Sequence, residues 1–420
     1  MDALRVLMAR HWLVPTCCAT GCWALSDVCC DIAIASADDD DAPAVKATGD
    51  APPRAQRHLD VFGKPRIQLT PEQNAIISAT VSLGACAVLV ASRWRDEAFW
   101  RGVSARTAGI AVAAGGVHFL AYAVELRAFR TASSTVITPL LQLSAVWMTL
   151  LRFLQPILAS ALPHARADAA APATAAAAAA AAAYARRLLV ADPDRRSLLA
   201  AGAGLLTGAD VDALYVATSA MQPAHLASVA LIFVGGFLPA AKGKVSRFAE
   251  AAFYQQPAVR CCILGELLIC IYNALLHACT YKDAGDAATG ASDVEVLQFF
   301  ALSRLGTFGT CALLVASRRA DGFSPDDVRA LRRCDRAFVR VAVAGECLSV
   351  AGVCIVMFSY ARFHEPAVVN AAEGGVQQLF NLAFAVALHS LCGVGRRIED
   401  RKTKLVSFAL VAAGLALSVR

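Results

Sequence analysis

Charge is scarce in this chain: Asp, Glu, Lys and Arg make up 17% of its 420 residues, where an average chain carries about a quarter. With 57% hydrophobic residues and a mean hydropathy of +0.53, that scarcity excludes a soluble globular domain. Period-two alternation of polarity is missing as well, which excludes a membrane β-barrel. No H-x-x-x-H or E-x-x-H box occurs, and the cysteines form no paired C-x-x-C units with loop histidines, so neither a metal site nor a cofactor is expected. No Ser-His-Asp grouping can be assembled either, and the chain is expected not to be an enzyme. The formal charge of +6 is spread over short loops and never gathers on one element, which sets nucleic acid aside as a partner.

Fifteen cysteines is an odd number, and most lie inside apolar stretches, where a thiol behaves as a small hydrophobe rather than half of a disulfide framework. The first ten residues lack the apolar core of a cleavable signal peptide. The stretch after them carries Asp27 and Asp31 without an evident cleavage site, and is expected to be the first membrane span.

What the chain does contain is apolar runs long enough to cross a hydrocarbon layer of about 30 Å. Ten are counted, at 11–35, 74–92, 107–129, 132–162, 224–241, 259–279, 294–317, 338–362, 367–392 and 405–419. Lipid offers the backbone no hydrogen bonds, so runs this long and unalternating must be helices. The expectation is an all-α, polytopic, multi-pass integral membrane protein with the lipid bilayer as its solvent. Residues 1–162 hold the first four spans with a polar loop at 37–70, 163–223 form a low-complexity and interfacial insert, 224–241 is the fifth span, and 242–420 hold spans six to ten. Within the insert, nine consecutive alanines at 175–183 favour helix without an amphipathic face to fix it. Residues 197–219 are apolar in part but interrupted by Gly202, Gly204, Gly208, Asp210 and Asp212. The arginines at 318–336 and the basic residues at 396–404 fall on the side opposite the termini, so the positive-inside rule places the termini outside unless 197–219 also crosses.

The third and fourth spans and the eighth and ninth share a plan. Each pair is a long span, a turn at an aromatic-basic dipeptide (Phe129-Arg130 and Phe363-His364), and a second span interrupted in its middle, by Pro139 in one and by Gly374 and Gly375 in the other. A duplication would give two five-span halves, and an odd number of spans turns the second half over, placing a solute site near the midplane. The opening run WLVPTCCATGCWALSDVCCD, the fourth span with Ser133-Ser134 leading to Pro139, and the terminal GRRIEDRKTKLVSFALVAAGLALSV with Glu399, Lys404 and Gly414 resemble the drug/metabolite transporter superfamily with EamA-like halves. The chain departs from that pattern in its two long inserts and in Glu373 near the position equivalent to Pro139. The resemblance implies two inverted five-helix repeats that carry a small-molecule solute by alternating access, with Pro139, Gly374 and Gly375 as flexible points.

Ionisable groups inside the spans cost a few kcal/mol each and need a partner, a wet cavity or a proton. Asp27 and Asp31 share one helix face; His118, Tyr122 and Glu125 form a stripe in the third span; Glu373, Gln377 and Asn381 form another in the ninth. Glu266, Arg304 and Glu346 complete the candidate substrate or proton pathway, with one acid expected to pair with Arg304. Interhelical glue is the plain reading for Ser133, Ser134, Gln378 and Asn381. Acids outnumber cations here, which favours a neutral or cationic metabolite over phosphorylated solutes and makes proton coupling through Glu373 or Glu346 the sharper expectation. Tyr122, Tyr272 and Tyr360 are either stacking surfaces for a solute or interfacial anchors. The alternatives are a non-transporting sensor or scaffold, and less so an integral-membrane enzyme using His118 with Glu125 or Glu266 with His277.

Overall fold

Segments that must satisfy their own amides coil, and the chain is helical nearly throughout the residues that can be described. The computed structural model describes residues 13–34, 68–93, 95–96, 99, 103–141, 143–144, 146–148, 223–280, 293–317, 323–362, 366–392 and 400–418. The first ten residues, most of the polar loop at 37–70, Arg152, the insert up to 222 including 197–219, Arg318 and Arg319, the Phe363-His364 turn and Glu399 lie outside these.

The main helices among the described residues are α1 (Leu13–Ala33), α2 (Pro71–Arg93), α3 (Ala105–Thr131), the two-turn α4 (Ser134–Leu140), α5 (Pro223–Phe237), α6 (Pro257–Thr280), α7 (Asp293–Ser317), α8 (Arg336–Arg362), α9 (Pro366–Cys392) and α10 (Arg401–Ser418), with short turns at Val245–Ala249, Ala251–Tyr254, Pro325–Ala330 and Leu331–Arg333. Five of them, α2, α3, α6, α7 and α8, are long and apolar enough to cross a membrane. The chain is thus read as a helical membrane protein.

Two spans were expected to be interrupted, and they differ. In α4, Pro139 has no amide hydrogen, so the Thr135 carbonyl loses its usual donor four residues on. The helix closes at Leu141, whose amide donates to Ile137 at 3.1 Å, and helical turns resume at 143–144 and 146–148. By contrast, α9 runs through Gly374 and Gly375 without a break, which corrects the expected interruption there. Two glycines weaken a helix by about 1 kcal/mol each but remove no hydrogen bond, and packing on α1 and α4 holds this one straight.

Helix α1 packs most extensively on α8 and also on α9, α3 packs on α6 and α7, α2 on α7, and α5 on α10. Small residues let these backbones touch. Side chains at Gly115 of α3 or Gly306 of α7 would overlap the facing backbone at Ser303 and Val112. A Cβ at Gly345 would lie 2.7 Å from that of Cys29, and one at Gly352 2.6 Å from the Trp23 indole nitrogen, so α1 and α8 run antiparallel at close range. The α5–α10 contact is reciprocal: a Cβ at Gly235 would meet Ser407 O at 2.9 Å, and one at Gly414 would meet Ser228 O at 2.8 Å. The segments in contact, Ser228-x-Ala230-Leu231-Ile232-x-x-Gly235 and Ser407-x-Ala409-Leu410-Val411-x-x-Gly414, repeat Ser, Ala, Leu and Gly at the same spacing, with Ile232 matched by Val411.

Membrane helices lack a hydrophobic drive to associate, so close backbone approach carries much of their packing. Gly414→Ala is expected to lower stability by about 1–3 kcal/mol in SDS-titrated unfolding of the full chain in mixed micelles. Gly84→Ala, where nothing lies within 4 Å of the added carbon, is expected to cost nothing and to raise stability by up to about 1 kcal/mol through helix propensity.

Candidate functional site

The polar groups buried in these helices gather where α1 meets α4, α8 and α9 and where α3 meets α6. Nearly every acid there takes hydrogen bonds from neutral donors on other helices. Asp27 Oδ2 accepts from Thr138 Oγ1 of α4 and from Gln377 Nε2 of α9, each at 2.9 Å. One turn on, Asp31 Oδ2 accepts from Ser134 Oγ at 3.2 Å. The two acids of α1 thus face α4 together, as their i, i+4 spacing requires.

Glu346 of α8 is fully buried and draws in three further helices. Its Oε1 accepts from Tyr122 Oη of α3 at 2.6 Å and from Asn74 Nδ2 of α2 at 2.9 Å, and the Cys30 thiol of α1 lies 3.6 Å from both donors. Glu125 of α3 lies across Gly265 of α6, where a Cβ would sit 2.7 Å from its Oε1, and its carboxyl group faces that of Glu266. Two carboxyl groups in contact cannot both stay ionised without a cation between them. Glu266 Oε2 also accepts from the Ser144 amide at 3.0 Å, a donor left over by the break after Pro139. Glu373 of α9 faces Tyr360 of α8, whose hydroxyl accepts from Asn273 Nδ2 of α6 at 3.0 Å.

The stripe expected on α3 is divided among neighbours: Glu125 faces Glu266, Tyr122 faces Glu346, and His118 lies against Tyr272 with ring centroids 4.8 Å apart. The hydroxyls of Tyr122, Tyr272 and Tyr360 are engaged by Glu346, Arg304 and Asn273. The expected pairing of an acid with Arg304 is absent among the described residues. Its Nη2 donates to Tyr272 Oη at 3.4 Å and its guanidinium lies 5.6 Å from the Phe300 ring centroid. His118, whose ring contacts the same Tyr272, lies seven residues or about 10 Å along α3 from Glu125, and the close α3–α7 contact puts the residues flanking Arg304 beside Val112 and Gly115, farther still from that acid.

Where α4, α9 and α10 meet, a small cleft with room for about one water is lined by Thr138, Pro139, Asn381 and Lys404, among others. Lys404 Nζ donates to Thr135 Oγ1 at 2.6 Å. The amide of Asn381 is buried without a partner among the described residues. Gln378 and Ser134 act as interhelical glue, to Ser407 Oγ at 2.6 Å and to Asp31. Residues that sequence reasoning passed over are Asn74, Thr138, Ser144, Asn370 and Ser407; only Asn74, four residues before Ser78 on a polar α2 edge, carried a visible signal. No group of three or more metal-ligating side chains forms among the described residues. Comparison with protein families, curated proteins and solved structures finds no significant match to this chain.

The Tyr122–Glu346 contact is suited to a double-mutant cycle. Tyr122→Phe and Glu346→Gln, separately and together, are expected to yield a coupling energy of about 1–2 kcal/mol in SDS-titrated unfolding, at the upper end for intramembrane hydrogen bonds.

Proposed function

We propose that the chain is a secondary carrier of the EamA-like drug/metabolite transporter type. Ten spans in two inverted five-helix halves move a small neutral or cationic metabolite by alternating access, with protons as the coupling ion. The observation that carries this reading is that acids from both halves converge on one polar centre: Asp27 and Glu125 from the first, Glu266, Glu346 and Glu373 from the second. Carboxyl groups in apolar helices are expensive, and chains retain them chiefly where ions or solutes pass.

The inverted arrangement is supported by the way helix pairs exchange. First against eighth (α1–α8) has its counterpart in third against sixth (α3–α6), and fifth against tenth (α5–α10) is its own counterpart, with the Ser-x-Ala-Leu-x-x-x-Gly segment on both sides. Antiparallel contacts of α1 with α8, α4 with α9 and α5 with α10 agree with spans that alternate in direction throughout. Rocking of the halves would bend α4 at Pro139, with Gly374 and Gly375, continuous helix in this state, as the second flexible point. The acid-rich centre then selects against multiply charged anions.

The test is counterflow in vesicles containing the purified full chain, with labelled choline, tetraethylammonium and neutral amino acids as probes. Saturable exchange of at least one probe is expected; chemical conversion of a probe would favour an enzyme, and neither would favour a scaffold. For the coupling step, Glu373→Gln is expected to reduce the dependence of uptake on an imposed pH gradient by at least about tenfold, on the scale of a lost 1.4 kcal/mol. Gradient dependence equal to that of the unaltered protein would remove Glu373 from the mechanism.

A further inference from the structure

Four basic side chains gather at one end of the α5–α10 pair. The turn after α5 carries Lys242 and Lys244 on either side of Gly243, and Gly243 packs on the start of α10, where a Cβ would lie 3.1 Å from Thr403 Oγ1. Arg401 and Lys402 immediately precede that threonine, and all four cations are exposed. Lys242 and Gly243 hold φ of 53° and 77°, the left-handed geometry with which the turn closes against α10. Like charges gathered in this way repel one another, and none of the four has an ion-pair partner among the described residues. Asp400 and Glu250 are the exposed acids on the two segments, so the surface stays positive.

Aromatic packing fixes the depth of the turn. Phe237, at the end of α5, meets Phe248, Phe253 and Tyr254 with ring centroids 6.1, 5.7 and 5.8 Å away, and Tyr254 Oη donates to Phe248 O at 3.0 Å. Aromatic residues where membrane helices end sit at headgroup level. Next to the cations the surface is apolar. Leu405 and Val406 stand one turn along α10 from Arg401 and Lys402 on the same helix face, 57% and 51% exposed, and Val245 beside Lys244 is 55% exposed. We propose that this surface binds an anionic phospholipid, with the headgroup phosphate at Lys242, Lys244, Arg401 and Lys402 and an acyl chain against Leu405 and Val406. A free phosphate would use the cations and leave the apolar wall bare, whereas a lipid uses both. The ends of α5 and α10 that carry the cluster then face the leaflet richer in anionic lipid. None of this rests on the carrier reading.

The test is thermal unfolding of the purified full chain in neutral detergent micelles, titrated separately with dioleoylphosphatidylglycerol, dioleoylphosphatidylcholine and inorganic phosphate. A saturable rise in Tm is expected with phosphatidylglycerol, and a smaller one with phosphatidylcholine, which carries the same acyl chains. Each basic residue near an anionic surface contributes about fivefold in affinity. Lys242→Asn with Lys244→Gln is therefore expected to weaken half-saturation by about thirtyfold, and so is Arg401→Gln with Lys402→Gln. Asn tolerates the positive φ at 242. Arg95→Gln, an exposed cation beyond the far end of α2, is expected to leave half-saturation unchanged. The proposal is overturned by a response to phosphatidylglycerol no stronger than that to phosphatidylcholine, by equal half-saturation in the unaltered protein and both double variants, or by the same saturable rise with inorganic phosphate. Because transport is not measured, failure here leaves the carrier reading in place, and failure of counterflow leaves lipid binding in place.

Discussion

Water is absent from the hydrocarbon interior, and most of the acids placed there take their partners from other helices. That constraint organises this molecule more than its apolar surface does, because Leu or Val packs as readily against lipid as against protein. Helix α1 is the clearest case. Its apolar face would hold no particular position, but Asp27 and Asp31 bind it to Thr138 and Ser134 of α4, Asp27 also binds Gln377 of α9, and Thr16 binds Ser359 of α8. The register of α1 against three neighbours is thus set by side-chain oxygens. Glu346 does the same for α2, α3 and α8 through Asn74 and Tyr122.

Directional contacts need helices close enough for short side chains to reach. Glycine at the crossings supplies that approach: Gly345 and Gly352 bring α8 onto α1, Gly265 leaves room for Glu125, and Gly115 with Gly306 brings α3 onto α7. In the α5–α10 pair the two devices coincide, since Ser407 Oγ donates to Gly235 O at 2.6 Å and accepts from Gln378 Nε2 at 2.6 Å. A side chain in place of Gly235 would push against Ser407 and disturb both bonds. Small residues and polar residues therefore act as one system, the first setting separation and the second setting register.

Hydropathy located nine of the helices to within about four residues, because a run of about twenty apolar residues has a single low-energy backbone solution; five of them are long and apolar enough to cross a membrane, and the run at 132–162 is described as helix at 134–140 with short turns beyond. The acids at the centre were legible for a related reason: a carboxyl group inside such a run is out of place, and Asp27, Glu125, Glu266, Glu346 and Glu373 all reach other helices. Their partners were not legible. Asn74, Thr138 and Ser144 are common residues in membrane helices, and only tertiary geometry distinguishes a donor to an acid from a donor to its own helix, as Thr280 is to Leu276. Arg304 misled for the opposite reason. Charge balance suggested an acid partner, whereas the steric fit at Gly115 and Gly306 decided its neighbours and placed it among aromatic rings. Pro139 broke α4 because it removes a hydrogen bond outright, and Gly374 and Gly375 left α9 straight because they only lower propensity.

The separation of the acids from Arg304 has an electrostatic consequence. At about 10 Å and an effective dielectric constant of about 20, two unit charges interact by roughly 1.7 kcal/mol, an upper bound for Arg304 and Glu125. That still allows a change of charge at one level to bias the other, and is too little for either to neutralise its counterpart. Had Arg304 lain against Glu125 or Glu266, the pair would have closed into a permanent ion pair and removed both groups from any exchange with solute or proton. The Glu125–Glu266 contact instead keeps two like groups together, where the arrival of a cation or a proton changes their interaction from repulsive to favourable. On the carrier reading, such a pair gives the centre two states that differ in charge and in the spacing of α3 from α6. The glycine at 265, which lets Glu125 lie flat on α6, is the residue through which that change in spacing would reach the helix backbone.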